Sequence, residues 1–163
     1  MTGVERRAKY LLLRLDTGEV LAVHLGMTGR FTVTARTRGT GRPLGDYARE
    51  HGGDSKHDHI VFTMSGGTKV TYNDARRFGY MTLIDADQVA QHAFFAGLGV
   101  EPLGEELDGA FLARRAHGRK VDLKAFLMDQ RIVAGLGNIY VCEALFRARL
   151  DPFKPAASLA TRT

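Results

Sequence analysis

One cysteine, Cys142, four prolines and no tryptophan occur in these 163 residues. A lone cysteine excludes an internal disulfide framework and any zinc site built on a cysteine pair within the chain. No stretch approaches the ~18 uninterrupted apolar residues of a membrane span, and the opening MTGVERRAKY lacks the apolar core of a signal peptide. Internal repeats and low-complexity tracts are also missing. These absences point to a soluble, cytosolic chain with no membrane partner. Negative charge is in short supply as well: 18 Asp and Glu face 23 Lys and Arg, 17 of them Arg, for a formal charge of +5. That excess favours a phosphate-rich partner over an acidic metabolite, although ribosomal and membrane-surface proteins share it. With 44% hydrophobic residues the chain can bury a core, as one domain or two small ones.

The first third alternates apolar and polar residues. Residues 10–15 and 19–25 read as strands around a Thr17-Gly18 turn, and 30–34 as a third strand. From 35 to 56 the periodicity stops, and this stretch reads as a long surface loop. Strands resume over 58–64, 69–72 and 80–84, with a turn at Ser65-Gly66-Gly67. Residue 10 then lies in a strand with no preceding partner. After Asp85 the period changes. A short helix is expected within 86–95, Asp108 is a plausible N-cap for a segment through His117, and a second helix covers 121–128. A third runs over 138–149, capped by Asn138, with Ile139, Cys142, Leu145 and Phe146 on its apolar face. The expected class is α+β: a β-rich domain over 1–85, a linker over 86–107 and a helical domain over 108–163.

Several segments could carry chemistry. In Gly135-Leu136-Gly137-Asn138 two glycines bare the backbone where a helix opens, which suits a phosphate but also suits an ordinary turn. Lys124 and the pairs Arg114-Arg115 and Arg119-Lys120 surround the same helices, as contacts or as a solvated face. Met27, between Gly26 and Gly29, either fills a core or is pushed outward, with His24 at the strand end beside it. In Asp74-Ala75-Arg76-Arg77-Phe78-Gly79 two guanidinium groups adjoin an aromatic ring, a pairing that can read a base edge and wedge a stack, unless Phe78 is core. His57-Asp58-His59 on one strand would face both imidazoles the same way, but no third ligand has a defensible spacing, so no metal site is expected. No Ser sits in an elbow motif, and Cys142 on an apolar helix face is a poor nucleophile.

Taken together, RAKYLL from Arg7, HLGMTGRF from His24, KHDH from Lys56, DARRFG from Asp74, LGVEPLG from Leu98 and KAFLMDQRIVAGLGNIYVCEALFRARLDP from Lys124 resemble the formamidopyrimidine-DNA glycosylase (Fpg or MutM) family of the Fpg/Nei superfamily. The resemblance covers nearly the whole chain. It implies an antiparallel β-sandwich part followed by a helix-two-turn-helix DNA-binding domain. It also implies a base-excision glycosylase and AP lyase, monomeric and nucleoid-associated in a bacterial cytoplasm, acting on double-stranded DNA with oxidised purines or abasic sites. Lys9 would contact the backbone beside the lesion and assist catalysis. His24 and Asn138 would hold phosphates, Met27 and Arg76 would fill the void left by a flipped nucleotide, Phe78 would wedge the stack, and Lys124 would lie near the everted base. Extrusion of the base must precede attack on its glycosidic bond, which agrees with the physical reading.

Two departures accompany the match. The family opens Pro-Glu-Leu-Pro-Glu, with the proline amine as nucleophile and the glutamate as acid, whereas this sequence opens Met1-Thr2-Gly3. It closes with a Cys-rich zinc finger, whereas this sequence ends first, with only Cys142, so no cofactor is expected within this chain. The resemblance therefore implies a fragment, inactive in excision on its own. The alternatives are a non-catalytic damaged-DNA-binding module and a ribosomal helix-two-turn-helix protein; the loops at Met27 and Phe78 argue against the last.

Overall fold

The computed structural model describes residues 1–34 and 54–159. Seven strands come first: β1 (Gly3–Arg7), β2 (Tyr10–Arg14), β3 (Glu19–His24), β4 (Arg30–Thr34), β5 (Asp58–Thr63), β6 (Lys69–Asn73) and β7 (Tyr80–Asp85). Three helices follow: α1 (Gly109–Ala116), α2 (Leu123–Met128) and α3 (Asn138–Arg147). The strands form a four-stranded sheet in the order β1-β2-β3-β7 and a three-stranded sheet in the order β4-β6-β5. The paired strands β1/β2, β4/β6 and β5/β6 are antiparallel. Two compact units result, Met1–Leu21 with Leu83–Thr163, and Ala22–Thr82. The α+β class and its antiparallel sheets are as expected from the sequence.

Within Ala22–Thr82, β6 is the central strand, and its Tyr72 stands opposite Phe31 of β4. The two rings pack with centroids 5.5 Å apart, and Phe31 also approaches Phe62 of β5. Such pairs add to the burial of their area. The strand carrying this core ends directly in Asn73 and Asp74, both buried, so the loop after β6 starts from a fixed point.

In the other unit the helices enclose Leu123, Phe126, Ile132, Val133, Val141 and Leu145. Asp108 caps α1 by accepting from the Phe111 amide, and Asp122 caps α2 by accepting from the Ala125 amide. Residues 129–137, which join α2 to α3, lie against residues 98–101: the Gly99 amide donates to Gln130 O, Val100 to Ile132 O, and Ala134 to Val100 O. Gly99 is required for this approach, because a methyl group there would overlap the Ile132 carbonyl and fall 2.7 Å from the Arg131 carbonyl carbon.

The structure corrects four expectations. Residue 10 does have a partner strand: β1 pairs with β2 from Gly3↔Arg14 to Arg7↔Tyr10. It was hidden because it is the edge strand of its sheet and mostly exposed; edge strands carry charge in place of alternation, here Glu5, which pairs with Arg14 at 2.6 Å. Residues 86–95 hold no α-helix, only the 3-10 turn Val89–Gln91, ended by extended His92. Phe94 and Phe95 fix this segment by packing on Tyr10. The cap of α3 is Gly137 rather than Asn138, which is the first helical residue. Finally, α3 buries Val141 and Leu145, while Ile139, Phe146 and Cys142 are exposed. At 3.6 residues per turn Ile139 stands about 200° from Val141, on the opposite side. The expected loop over 35–56 falls largely outside the described residues. Of it, Asp54 caps a 3-10 turn, Ser55–His57.

Replacing Gly99 by Ala should cost more than about 2 kcal/mol, since both neighbours it meets are backbone. Gly97→Ala, where nothing lies within 4 Å, should change stability by less than about 0.5 kcal/mol. Urea unfolding of the two variants separates the cases.

Candidate nucleic-acid interface

The first constellation lies within Ala22–Thr82. Asp74, 1% exposed, receives the Thr28 hydroxyl on Oδ1, and the Tyr72 hydroxyl at 3.0 Å and the Gly79 amide at 2.8 Å on Oδ2. Its carbonyl oxygen lies 2.8 Å from Nε2 of His59. Thr28 Oγ1 in turn accepts from the Arg76 amide at 3.1 Å. One carboxylate thus ties residues 25–29 to residues 74–79. Glycines let the two loops meet: a methyl group at Gly26 (φ +62°) would fall 2.6 Å from the Phe78 carbonyl carbon. Burial works against the charge of Asp74, but the bonds from Thr28, Gly79 and Tyr72 outweigh it and hold its pKa at about 2. Burial, and then the bond to Asp74, push Tyr72 up to about 12.

On this base stand the side chains singled out in the sequence. Met27 is 72% exposed and Phe78 55%, so both point outward and neither is core. The Arg76 guanidinium lies 4.5 Å over the Phe78 ring, an arrangement that holds an apolar ring and a cation side by side in water. Between them Arg77 adopts a left-handed conformation, φ +57°, uncommon for a residue with a side chain. His24 Nδ1 accepts from the Gly26 amide at 3.1 Å. An amide can only donate, so Nδ1 is the acceptor in this contact. The ring stacks on Tyr80, centroids 5.3 Å apart.

The second constellation lies within the other unit. Glu101 Oε1 accepts from Arg7 at 2.6 Å and from the Ala8 amide at 2.7 Å, and Oε2 accepts from Arg6 at 2.7 Å. Burial opposes its charge, but these bonds hold its carboxyl below the usual range. They fix the β1–β2 turn, in which Ala8 is left-handed at φ +52°, and they present Lys9. Its Nζ donates to the Leu136 carbonyl at 3.3 Å, and a methyl group at Gly137 would come 3.2 Å from that nitrogen. Lys9 therefore meets the turn that opens α3 at Asn138, whose Oδ1 accepts from Cys142 Sγ at 3.7 Å. Lys124 is not part of this turn. It is the second residue of α2, and its amide donates to Pro152 O at 3.2 Å. Of the flanking cations, Arg115 sits over Phe111 and Arg119 over Phe126.

His57 and His59 do not share a regular strand. His57 ends the 3-10 turn, and the β5/β6 register shifts between Asp58 and Ile60. Among the described residues no group of three or more His, Cys, Asp or Glu is placed to hold a metal ion. No helix among them is long and apolar enough to cross a membrane. Sequence reading overlooked Asp74, Tyr72, Glu101 and Gln130 as site residues. The available signal was a lone carboxylate in each of two segments otherwise rich in glycine, arginine or apolar residues.

The family profile for the formamidopyrimidine-DNA glycosylase N-terminal domain matches residues 1–81, and that for the H2TH domain of the same enzymes matches residues 98–163. The formamidopyrimidine-DNA glycosylase of Caulobacter sp. (strain K31) is 56% identical over 157 residues, covering 96% of this chain and 54% of the relative. That of Methylobacterium nodulans is 54% identical, covering 97% and 53%. The chain thus spans about half the length of the curated relatives it matches. The Lactococcus lactis enzyme bound non-covalently to DNA with an AP site superposes with a TM-score of 0.76 at 31% identity, over 96% of this chain and 54% of that one. MutM in complex with DNA containing carbocyclic 8-oxo-G gives 0.76 at 33%, over 96% and 54%.

Asp74 has a pKa below that of an unfolded chain, so its contribution to stability is complete above about pH 5 and is lost as pH falls through 4 toward 2. Asp74→Asn should cost about 2–3 kcal/mol at pH 7 and flatten the stability profile between pH 5 and 2. Denaturant unfolding across that range tests this; an unchanged slope means that the carboxylate is not charged in the fold.

Proposed function

Because this chain belongs to the formamidopyrimidine-DNA glycosylase family, we propose that it grips duplex DNA at oxidised purines and abasic sites and flips the damaged nucleotide, the steps of a base-excision reaction that precede the cut of the glycosidic bond. The observation that carries this reading is the braced trio of Met27, Arg76 and Phe78. Three side chains of unlike chemistry stand exposed on two loops that a single buried carboxylate holds together. A base leaves the stack at a cost of a few kcal/mol, and something must fill the hole. Met27 is unbranched and apolar, Arg76 offers paired donors to an orphaned base, and Phe78 is a flat wedge, which matches that need.

Phosphate contacts supply the remaining affinity. Lys9 and the start of α3 at Asn138 gather an ammonium, bare glycine backbone and helix amides at one turn, and His24 is assigned to a second phosphate. Lys124 is assigned to the neighbourhood of the everted base, and Lys9 assists the chemistry beside the lesion. The protein acts as a monomer in the cytoplasm, on the nucleoid.

Binding to duplex DNA should weaken with salt, with a log–log slope of about −1 or steeper, given the phosphate contact proposed for the Lys9 ammonium. Arg76→Ala and Phe78→Ala should each lower affinity for an abasic-site duplex about tenfold and leave undamaged duplex nearly unchanged. Fluorescence anisotropy measures both. Equal losses on the two duplexes would show that the loop only follows the backbone, and a flat salt slope would overturn the DNA reading.

A further inference from the structure

We propose that Gln130 is a positioning residue for Lys9, acting through the Leu136 carbonyl that the two side chains share; the inference rests on the DNA-binding reading above. Leu136 O accepts from Gln130 Nε2 at 2.8 Å and from Lys9 Nζ at 3.3 Å. Both donors of the Gln130 carboxamide are used, and its oxygen is an acceptor. Nε2 also donates to Met128 O at 2.9 Å, and Oε1 accepts from the Gly135 amide at 2.8 Å. One planar side chain thus closes the link from the end of α2 to Leu136, across Gly135 in its left-handed conformation, φ +85°. A backbone chain leads back to the lysine from the other side. The Gln130 carbonyl accepts from Gly99, two residues before Glu101, and Glu101 holds the Ala8 amide next to Lys9. The contacts close a ring from Gln130 through residues 99–101, Ala8 and Lys9 to Leu136.

The ring has a physical purpose. A lysine stem carries roughly 2 kcal/mol of rotamer entropy, and a free ammonium would lose it on meeting a phosphate or a reacting sugar. Held against Leu136 beforehand, Lys9 loses less. Gly137 keeps the space beside Nζ open, because any side chain there would begin 3.2 Å from the ammonium. Gln130 does not touch the DNA in this scheme. It fixes the direction of the carbonyl that aims the lysine, so its effect on binding exists only while Lys9 is present.

A double-mutant cycle on the full chain tests this. Gln130→Met keeps length and volume but removes all three bonds. It should weaken binding to an abasic-site duplex about five- to tenfold and lower the salt slope by about 1, the share of one phosphate contact. In the Lys9→Met background the same change should alter binding less than twofold. If Gln130→Met does not fold, as thermal melting will show, Gln130→Glu is read in the same cycle; it retains the acceptor for Gly135, loses both donors and brings a charge of its own, so only the difference between the two Lys9 backgrounds is read. Equal losses with and without Lys9 overturn the proposal and leave the DNA reading standing. Absence of salt-dependent binding by the unmodified chain overturns both.

Discussion

Asp74 is a carboxylate removed from water that remains charged because two hydroxyls and a backbone amide converge on it. Leaving any of these donors without its acceptor inside the fold would cost more than the bond itself contributes. The two loops are consequently not free to move apart, and every outward side chain at the first constellation inherits its direction from this inward one. Met27 follows the Gly26 contact with Phe78, Arg76 follows its amide on Thr28, and Phe78 follows the Gly79 amide on Asp74.

The other unit uses the same device with another carboxylate. Glu101 takes two guanidinium groups and an amide, and a turn with a left-handed alanine stays folded around them. Asp108 and Asp122 are likewise spent, as helix caps. In a chain of charge +5, these carboxylates serve the architecture, whereas many cations lie exposed, Lys9, Arg76 and Lys120 among them. The excess positive charge is therefore a property of the surface, available to a polyanion and sensitive to ionic strength.

What the sequence showed and what it hid divide along sequence separation. The strands from β2 onward and the Asp108 cap were legible because their determinants lie within a few residues: alternation, a turn glycine, a side chain that accepts from an amide three positions on. The outward placement of Met27 and Phe78 was legible as an alternative, since flanking glycines leave room for either outcome. By contrast, Ala8 and Glu101 are 93 residues apart, and Thr28 and Asp74 are 46 apart. No local pattern announces such a pair. The same reason explains β1, a strand only because β2 offers it an edge, and the segment before Gly97, where packing of Phe94 and Phe95 on Tyr10 replaced the expected helix.

Arg77 gives the loop before β7 an uncommon property. In an extended strand neighbouring side chains alternate, and a pair two apart shares a face only by remaining extended. Here the chain turns left-handed at the middle residue, and Arg76 and Phe78 still meet in a cation–ring contact. The pairing is therefore a property of the count between Asp74 and Gly79, since the amide of the second donates to the carboxylate of the first. A glycine or asparagine in place of Arg77 would suit the backbone equally well, but one residue more or fewer would turn the ring away from the guanidinium. Along this arc the protein can tolerate a change of letter and cannot tolerate a change of length.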